Sequence, residues 1–403
     1  MGSEPVRVDV AVIGAGMAGL TCARRLQGAG YSVAVVEKSR GLGGRLATRR
    51  IESRVLDHGA RFLQPQTPAL QAWVDYLAAA QVLQPWHPQV FRLGKTGGLQ
   101  RQDLQESQES QESRPPYWVA PAGMSAVGKA LGAGLKIQRQ WRVTAIAPET
   151  EGTWRITALE TDRNTSVSLQ SRALVLAIPA PQVLELVAPL VQQGLPTAAY
   201  ETLAAVHYDP CITVMATYSA ALVPLSPAED SPLDARPWMV WGEADTDFAW
   251  VGLDSSKRAN TGGMLGENVG GNRVMAPTAM ATTVNVVLQS SATFATDWLE
   301  APVLQAAGEA LLHSAQTHLA PWLGRPQHWQ VHRWRYALVR EPLAASGSNV
   351  PWQVSQPLPL VACGDWCGSQ SVDSALASGW QSAAAIAATL DGRPLPTLAE
   401  LLG

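Results

Sequence analysis

Three glycines, Gly14, Gly16 and Gly19, and one carboxylate, Glu37, are spaced so that they could hold a diphosphate and a ribose. Residues 8–13 ahead of them form a β-branched apolar run, the pattern of a buried parallel strand. In Gly14-Ala15-Gly16-Met17-Ala18-Gly19 the first glycine permits a tight turn and the second lets a pyrophosphate approach the backbone. The third lets helix and strand pack closely. The helix that follows, predicted to end near residues 28–30, would aim its free N–H groups and its dipole at the phosphates. Residues 31–36 read as a second strand, with Glu37 at its end and Lys38 just beyond. A carboxylate 18 positions after Gly19 suits the two hydroxyls of an adenosine ribose. This unit alone does not distinguish NAD from FAD.

The next residues do. Arg40-Gly41-Leu42-Gly43-Gly44-Arg45 follows directly, and six arginines fall between residues 40 and 61 of a chain whose net charge is −3. Gly43-Gly44-Arg45 resembles the G-G-R element of the two-dinucleotide-binding-domain flavoproteins, which include amine oxidases and desaturases. The resemblance implies a second close approach to the diphosphate at Gly44 and a charge-assisted pair from Arg45. Asp57-His58-Gly59-Ala60-Arg61-Phe62 resembles the D-x-G-A-x-Φ segment that passes along the flavin there, implying cofactor contacts for Gly59, Ala60, Arg61 and Phe62.

Other stretches extend the likeness. Tyr117-Trp118-Val119-Ala120-Pro121-Ala122-Gly123-Met124 resembles the superfamily's y-v-g-x-G-M element, and a helix to about residue 131 is expected after it. A strand ends in Val143-Thr144-Ala145-Ile146, and the resemblance assigns the Val143 backbone to the adenine. Residues 153–159 and 166–170 alternate as a hairpin, and residues 173–179 form a buried strand stopped by Pro179. Leu360-Val361-Ala362-Cys363-Gly364-Asp365 is a strand ending in Gly-Asp, followed by an alanine-rich helix over residues 372–390. In the superfamily such a Gly-Asp, here Gly364 and Asp365, holds the ribityl chain and diphosphate. The resemblance also implies that the helix start, with Val372, Asp373 and Ala375, faces the flavin pyrimidine, where its dipole can stabilise negative charge on the reduced ring.

Late motifs narrow the resemblance to renalase and its bacterial relatives. These are Tyr208-Asp209-Pro210-Cys211, Asp254-Ser255-Ser256-Lys257, His332-Arg333-Trp334-Arg335-Tyr336-Ala337 and Gly364-Asp365-Trp366. The resemblance implies non-covalent FAD and a fold of α/β class: a Rossmann-like FAD-binding domain of the glutathione-reductase/p-hydroxybenzoate-hydroxylase type, plus an α+β substrate domain with a mostly antiparallel sheet. The FAD-binding domain is expected over residues 1–64, 117–180 and 334–403, and the substrate domain over 65–116 and 181–333. The implied reaction passes hydride from 2- or 6-dihydroNAD(P) to flavin N5, with O2 as acceptor, giving NAD(P)+ and hydrogen peroxide. Such a donor needs no general base, and no nucleophile–base motif is visible. Tyr208, Trp250, Trp298, Trp334, Arg335 and Tyr336 are the candidates for the substrate pocket. Arg61 and Arg335 could meet a substrate phosphate or carboxylate.

Two other readings stay open on the same fold. One is an amine oxidase or desaturase; an amine oxidase often carries a lysine near N5, for which Lys257 is the candidate. The other is a non-enzymatic relative of the GDP-dissociation inhibitors.

Composition bounds the partners. The charge balance makes no case for nucleic acid. The longest apolar runs are broken and short of a bilayer span, and the chain enters its first strand too early for a signal peptide, so a cytoplasmic protein without membrane insertion is expected. Four scattered cysteines, at 22, 211, 363 and 367, are not a disulfide framework, and the seven histidines form no metal-like cluster. Fifteen tryptophans, many after residue 236, could wall a pocket for a flat ligand. The Gln-Glu-Ser repeat at 105–113 and the glycine-rich stretch 259–272 read as surface insertions.

Overall fold

The computed structural model describes residues 6–94, 98–102, 116–226, 232–261, 282–343, 348–369 and 371–403. The Gln-Glu-Ser repeat and residues 262–272 of the glycine-rich stretch lie outside them.

Two sheets position the site. At the centre of the first lies the strand Val6–Ile13, parallel to Val33–Glu37 on one side and to Thr165–Leu176 on the other. Lys136–Arg139 extends it parallel beyond Val33–Glu37. The second half of Thr165–Leu176 pairs in parallel with Leu360–Ala362, and its first half carries an antiparallel meander of Trp154–Glu160 and Trp141–Pro148. Val10, Ala11 and Val12 are fully buried, as a central parallel strand covered on both faces requires. The helices Met17–Gly28 and Val372–Leu390 pack closely: a Cβ on Gly379 would stand 2.2 Å from the Ala18 carbonyl oxygen. Residues 8–37 and 360–390 therefore build one sheet together.

The second sheet runs in the order His328–Glu341, His207–Ser219, Thr283–Ser290, Phe248–Leu253, Trp238–Gly242, Gln89–Leu93, Leu99–Arg101. Every neighbouring pair is antiparallel except Trp238–Gly242 with Gln89–Leu93. Alternate residues such as Val214, Val286 and Val251 are buried, and the helix Leu304–His318 covers them with Leu311 and Ala315. The fold class is the expected one.

Two details differ from the sequence expectation. Residues 166–170 and 173–176 belong to one strand, because nothing at Ser171 or Arg172 interrupts the extended pattern. The division between residues 333 and 334 falls inside His328–Glu341, whose alternation continues past Trp334 and pairs along its length with His207–Ser219. The ladder shifts register between Asp209 and Cys211, where Pro210 offers no N–H to it. Among the described residues no helix is long and apolar enough to cross a membrane.

Candidate functional site

The glycine turn leaves open space at Gly16. Gly16 caps the helix Met17–Gly28 without any capping side chain, and a Cβ placed on it would meet nothing within 4 Å. The open space at Gly16 thus lies at the positive end of the helix, where the first-turn N–H groups have no intrahelical partner. Gly44, at φ +57, closes on the same turn, since a Cβ there would stand 3.2 Å from Gly16 Cα. Gly43 N–H donates to the Ala15 carbonyl at 2.8 Å, holding the basic segment against the turn. Glu37 is buried; its Oε2 accepts from Ala15 N–H and its Oε1 from Ser39 N–H, both at 2.8 Å. The carboxylate is thereby fixed at the rim of the turn, where a ribose would lie. Val143 sits on the open edge of the meander at a register shift. Lys38 is exposed and reaches Gln182 at 3.4 Å. These residues fit the adenosine diphosphate half of FAD.

Arg45 does something other than expected. Its Nη2 lies 2.5 Å from Asp365 Oδ1, and its Nη1 donates to the Ala337 carbonyl at 3.0 Å. Burial opposes its charge, but Asp365 outweighs burial and raises the guanidinium's pKa. The short turn Asp365–Cys367, which starts just after Gly364, delivers this carboxylate. Asp373 is likewise committed: its Oδ1 accepts from Thr67 Oγ1 at 2.7 Å and from Gln66 N–H at 3.3 Å. It joins the start of Val372–Leu390 to the cap of the helix Pro68–Ala79, with Val372 and Ala375 half-buried in the same turn.

Asp57 ends the strand Arg54–Asp57, and the segment after it threads beneath Arg45. Ala60 N–H donates to the Arg45 carbonyl at 2.8 Å, and a Cβ on Gly59 would stand 1.9 Å from that oxygen, so only glycine fits. Phe62 packs on Tyr117 at 4.4 Å, with Trp241 at 6.3 Å and Trp86 at 6.4 Å. Tyr208 and Tyr336 meet edge to face at 5.5 Å. The Tyr208 hydroxyl accepts from Ala180 N–H at 3.4 Å, and burial and then Asp365 push its phenol up. Trp334 Nε1 donates to the His58 carbonyl at 3.0 Å, and its ring stacks on His58 at 5.4 Å. Burial, His332 and Arg49 together push the His58 imidazole down to about 3, so it is neutral. Trp250 is fully buried and donates to Met239 Sδ at 3.4 Å. Arg61 lies over Trp241 at 4.8 Å and over Trp250 at 5.4 Å, and its Nε donates to Gln289 Oε1 at 2.6 Å.

Two pocket candidates lie elsewhere. Arg335 is on the outer side of its strand, in an exposed bidentate pair with Glu300 at 2.5 and 3.0 Å. Trp298 ends the helix Ala292–Asp297 and packs on Phe294 in a satellite cluster with Ile212, Ala295 and Ala307. The sequence reading passed over Trp86, Trp241, His58, His332 and Gln289 as individual site residues. The alternation of strand residues could have found Trp241, while nothing local marks Gln289.

Lys257 is fully buried in a carboxylate–cation network. Its Nζ lies 2.8 Å from Asp254 Oδ1 and 3.8 Å from Asp57 Oδ2. Arg258 reaches Asp57 at 2.9 Å and Asp254 at 2.8 Å. Asp57 Oδ1 also accepts from Met124 N–H at 2.8 Å and Thr48 Oγ1 at 2.7 Å. Burial and Asp254 raise the Asp57 carboxyl's pKa. For Asp254 burial acts upward too, but Arg258 and Lys257 outweigh it and the net shift is downward. The network ties the strand ahead of His58 to the second sheet.

Comparisons with known proteins agree with this architecture. A family description of an NAD(P)-binding Rossmann-like domain matches residues 12–77, and one of flavin-containing amine oxidoreductases matches residues 99–387. Putrescine oxidase of Kocuria rosea is 41% identical over 78 residues, a stretch covering 19% of this chain and 16% of that protein. A solved structure of putrescine oxidase bound to putrescine superposes with a TM-score of 0.62 at 16% identity, covering 95% of this chain and 100% of that one. Cyclohexylamine oxidase from Brevibacterium oxydans IH-35A superposes with a TM-score of 0.65 at 15% identity, covering 95% and 99%. The chain therefore belongs to the flavin-containing amine oxidoreductase family and is an FAD-dependent oxidoreductase.

Proposed function

We propose that this oxidoreductase is a renalase-type oxidase, which takes hydride from 2- or 6-dihydroNAD(P) and delivers the electrons to O2, forming NAD(P)+ and hydrogen peroxide. One observation carries the reading: Lys257, the candidate for the lysine an amine oxidase often carries near N5, is sealed 2.8 Å from Asp254. FAD, when bound, supplies the hydride acceptor at N5 and the route to O2. A dihydropyridine is already a hydride donor and requires no base, whereas a protonated amine must first lose a proton. The chain's part is then to orient a flat ring at about 3–3.5 Å from the acceptor and to exclude water. Aromatic side chains at Phe62, Tyr117, Trp241, Tyr208 and Tyr336 suit that task. Each buried carboxylate among the described residues, from Glu37 to Asp373, already accepts at least one hydrogen bond from the protein. A cytoplasmic location is part of the proposal, and four buried, unpaired cysteines support it.

Oxidation of an amine is the second reading. The comparisons by themselves favour it, because the named relatives are putrescine and cyclohexylamine oxidases. Anaerobic mixing of the flavin-loaded protein with 6-dihydroNAD decides between them. Rapid bleaching of the flavin by this donor, and none by putrescine or cyclohexylamine, is expected. Bleaching by the amines alone would replace the first reading with the second.

A further inference from the structure

Gln289, on the strand Thr283–Ser290, bridges the two halves of the site. Its Nε2 donates to the Gly59 carbonyl at 2.7 Å, and its Oε1 accepts from Arg61 Nε at 2.6 Å. One contact needs the amide's nitrogen and the other its oxygen, so the side chain has a single orientation. Gln289 is buried. It therefore fixes Arg61 about the one guanidinium nitrogen it holds, and the indoles of Trp241 and Trp250 back the plane.

The rest of that guanidinium is unspent. Among the described residues no carboxylate pairs with Arg61, and neither Nη1 nor Nη2 has a protein partner. Both nitrogens also reach accessible space, unlike the sealed Nε of Arg49. Arg45 and Arg258, by contrast, each hold a carboxylate. Burial pushes the Arg61 guanidinium down to about 10, opposed only by the Cys211 thiol, the response of a desolvated cation with no carboxylate beside it. A planar fork with two parallel donors, held from behind and stacked on aromatic faces, is the geometry that grips two oxygens of one anion.

We propose that Arg61 forms a subsite for an oxyanion of the substrate, a phosphate or a carboxylate, and that Gln289 is its positioning residue. The phosphate assignment rests on the dihydronicotinamide nucleotide reading above. The subsite itself rests only on the arrangement of Arg61, Gln289, Trp241 and Trp250.

The test uses the flavin-loaded protein and needs no turnover. Nicotinamide mononucleotide and nicotinamide riboside differ by one phosphate, and each is titrated against the bound flavin's absorbance spectrum. The mononucleotide is expected to bind at least about tenfold tighter. Arg61→Gln should erase that difference while leaving FAD affinity within about twofold, and Arg61→Lys, which keeps charge without the fork, should retain part of it. Gln289→Glu should also erase it, because the new carboxylate would neutralise the guanidinium in place. Equal binding of the two ligands by the unaltered protein, or an undiminished preference in Arg61→Gln, would overturn the subsite. So would loss of FAD from Arg61→Gln and Arg61→Lys, which would assign the guanidinium to the cofactor. If neither pyridine ligand perturbs the spectrum, titration with pyrophosphate and malonate follows. Anion binding that disappears in Arg61→Gln would keep the subsite and sink the nucleotide reading, and no anion binding at all would sink the subsite.

Discussion

Arg45 and Asp365, 320 positions apart in the chain, meet through a 2.5 Å ion pair. The same arginine holds Ala337 of the second sheet at 3.0 Å. One guanidinium thus staples the glycine segment, the turn after Leu360–Ala362 and the long strand His328–Glu341. Asp365→Asn leaves the half-buried cation without its partner. We expect FAD affinity to fall by about ten- to a hundredfold and the melting temperature to drop with a loss of about 1–2 kcal/mol. Flavin titration and thermal unfolding check both; unchanged FAD affinity would detach this pair from the cofactor site.

Gly16 and Gly19 should separate binding from folding. A Cβ on Gly16 meets nothing, whereas one on Gly19 would stand 2.0 Å from the Gly14 carbonyl oxygen. Gly16→Ala should therefore leave the melting point of flavin-free protein nearly unchanged yet weaken FAD binding, because the methyl intrudes where the diphosphate approaches. Gly19→Ala should depress both. Equal behaviour of the two variants would contradict the assignment of Gly16 to the phosphate.

Removing two members of the Lys257 network should cost less than the sum of the two single removals. Lys257→Met leaves Asp57 and Asp254 sharing Arg258 alone, with an expected destabilisation of about 3 kcal/mol. Lys257→Met with Asp254→Asn restores the charge balance. Its loss should be well below the sum of the singles, as a double-mutant cycle on thermal stability would show.

Stability should fall on acidification through His58. Its folded-state pKa, about 3, lies below the ordinary histidine value of 6.5 because the imidazole is buried beside His332 and Arg49. The unfolded chain then binds the extra proton first, so the contribution is fully present above pH 6.5 and is lost as the pH falls towards 3. At full extent it is on the order of 4 kcal/mol. His58→Phe keeps the stack on Trp334 and should flatten the acid limb of a melting-temperature profile between pH 4 and about 7. A parallel profile for the two proteins would refute this.

Local pattern made much of the fold legible. The strand–glycine–helix–strand unit at residues 6–37 depends on periodicity and turn chemistry, which neighbours in sequence decide. The same alternation separates Trp334 and Tyr336, which face His58 and Tyr208, from Arg335, which faces Glu300. Arg335 was legible as an outward residue, and its place in an aromatic run obscured that. Trp298 misleads in the opposite way, since a tryptophan at a helix end packs as readily in a satellite core as in a pocket. What sequence could not carry are partners chosen across the tertiary structure. Arg45 looked free for phosphate until Asp365 arrived beside it, and Gln289 carries no motif because its role exists only once Gly59 and Arg61 are delivered to it.

The close fit of Gly379 against Ala18 has a consequence for biosynthesis. A nascent chain exposes its glycine turn well before the helix that completes the surroundings of that turn, Val372–Leu390, is translated. At about 5–20 residues per second the first helix waits tens of seconds for its partner. During that interval the apolar face of Met17–Gly28 is open to chaperones, and the surroundings of the glycine turn stay incomplete until Val372–Leu390 has been made.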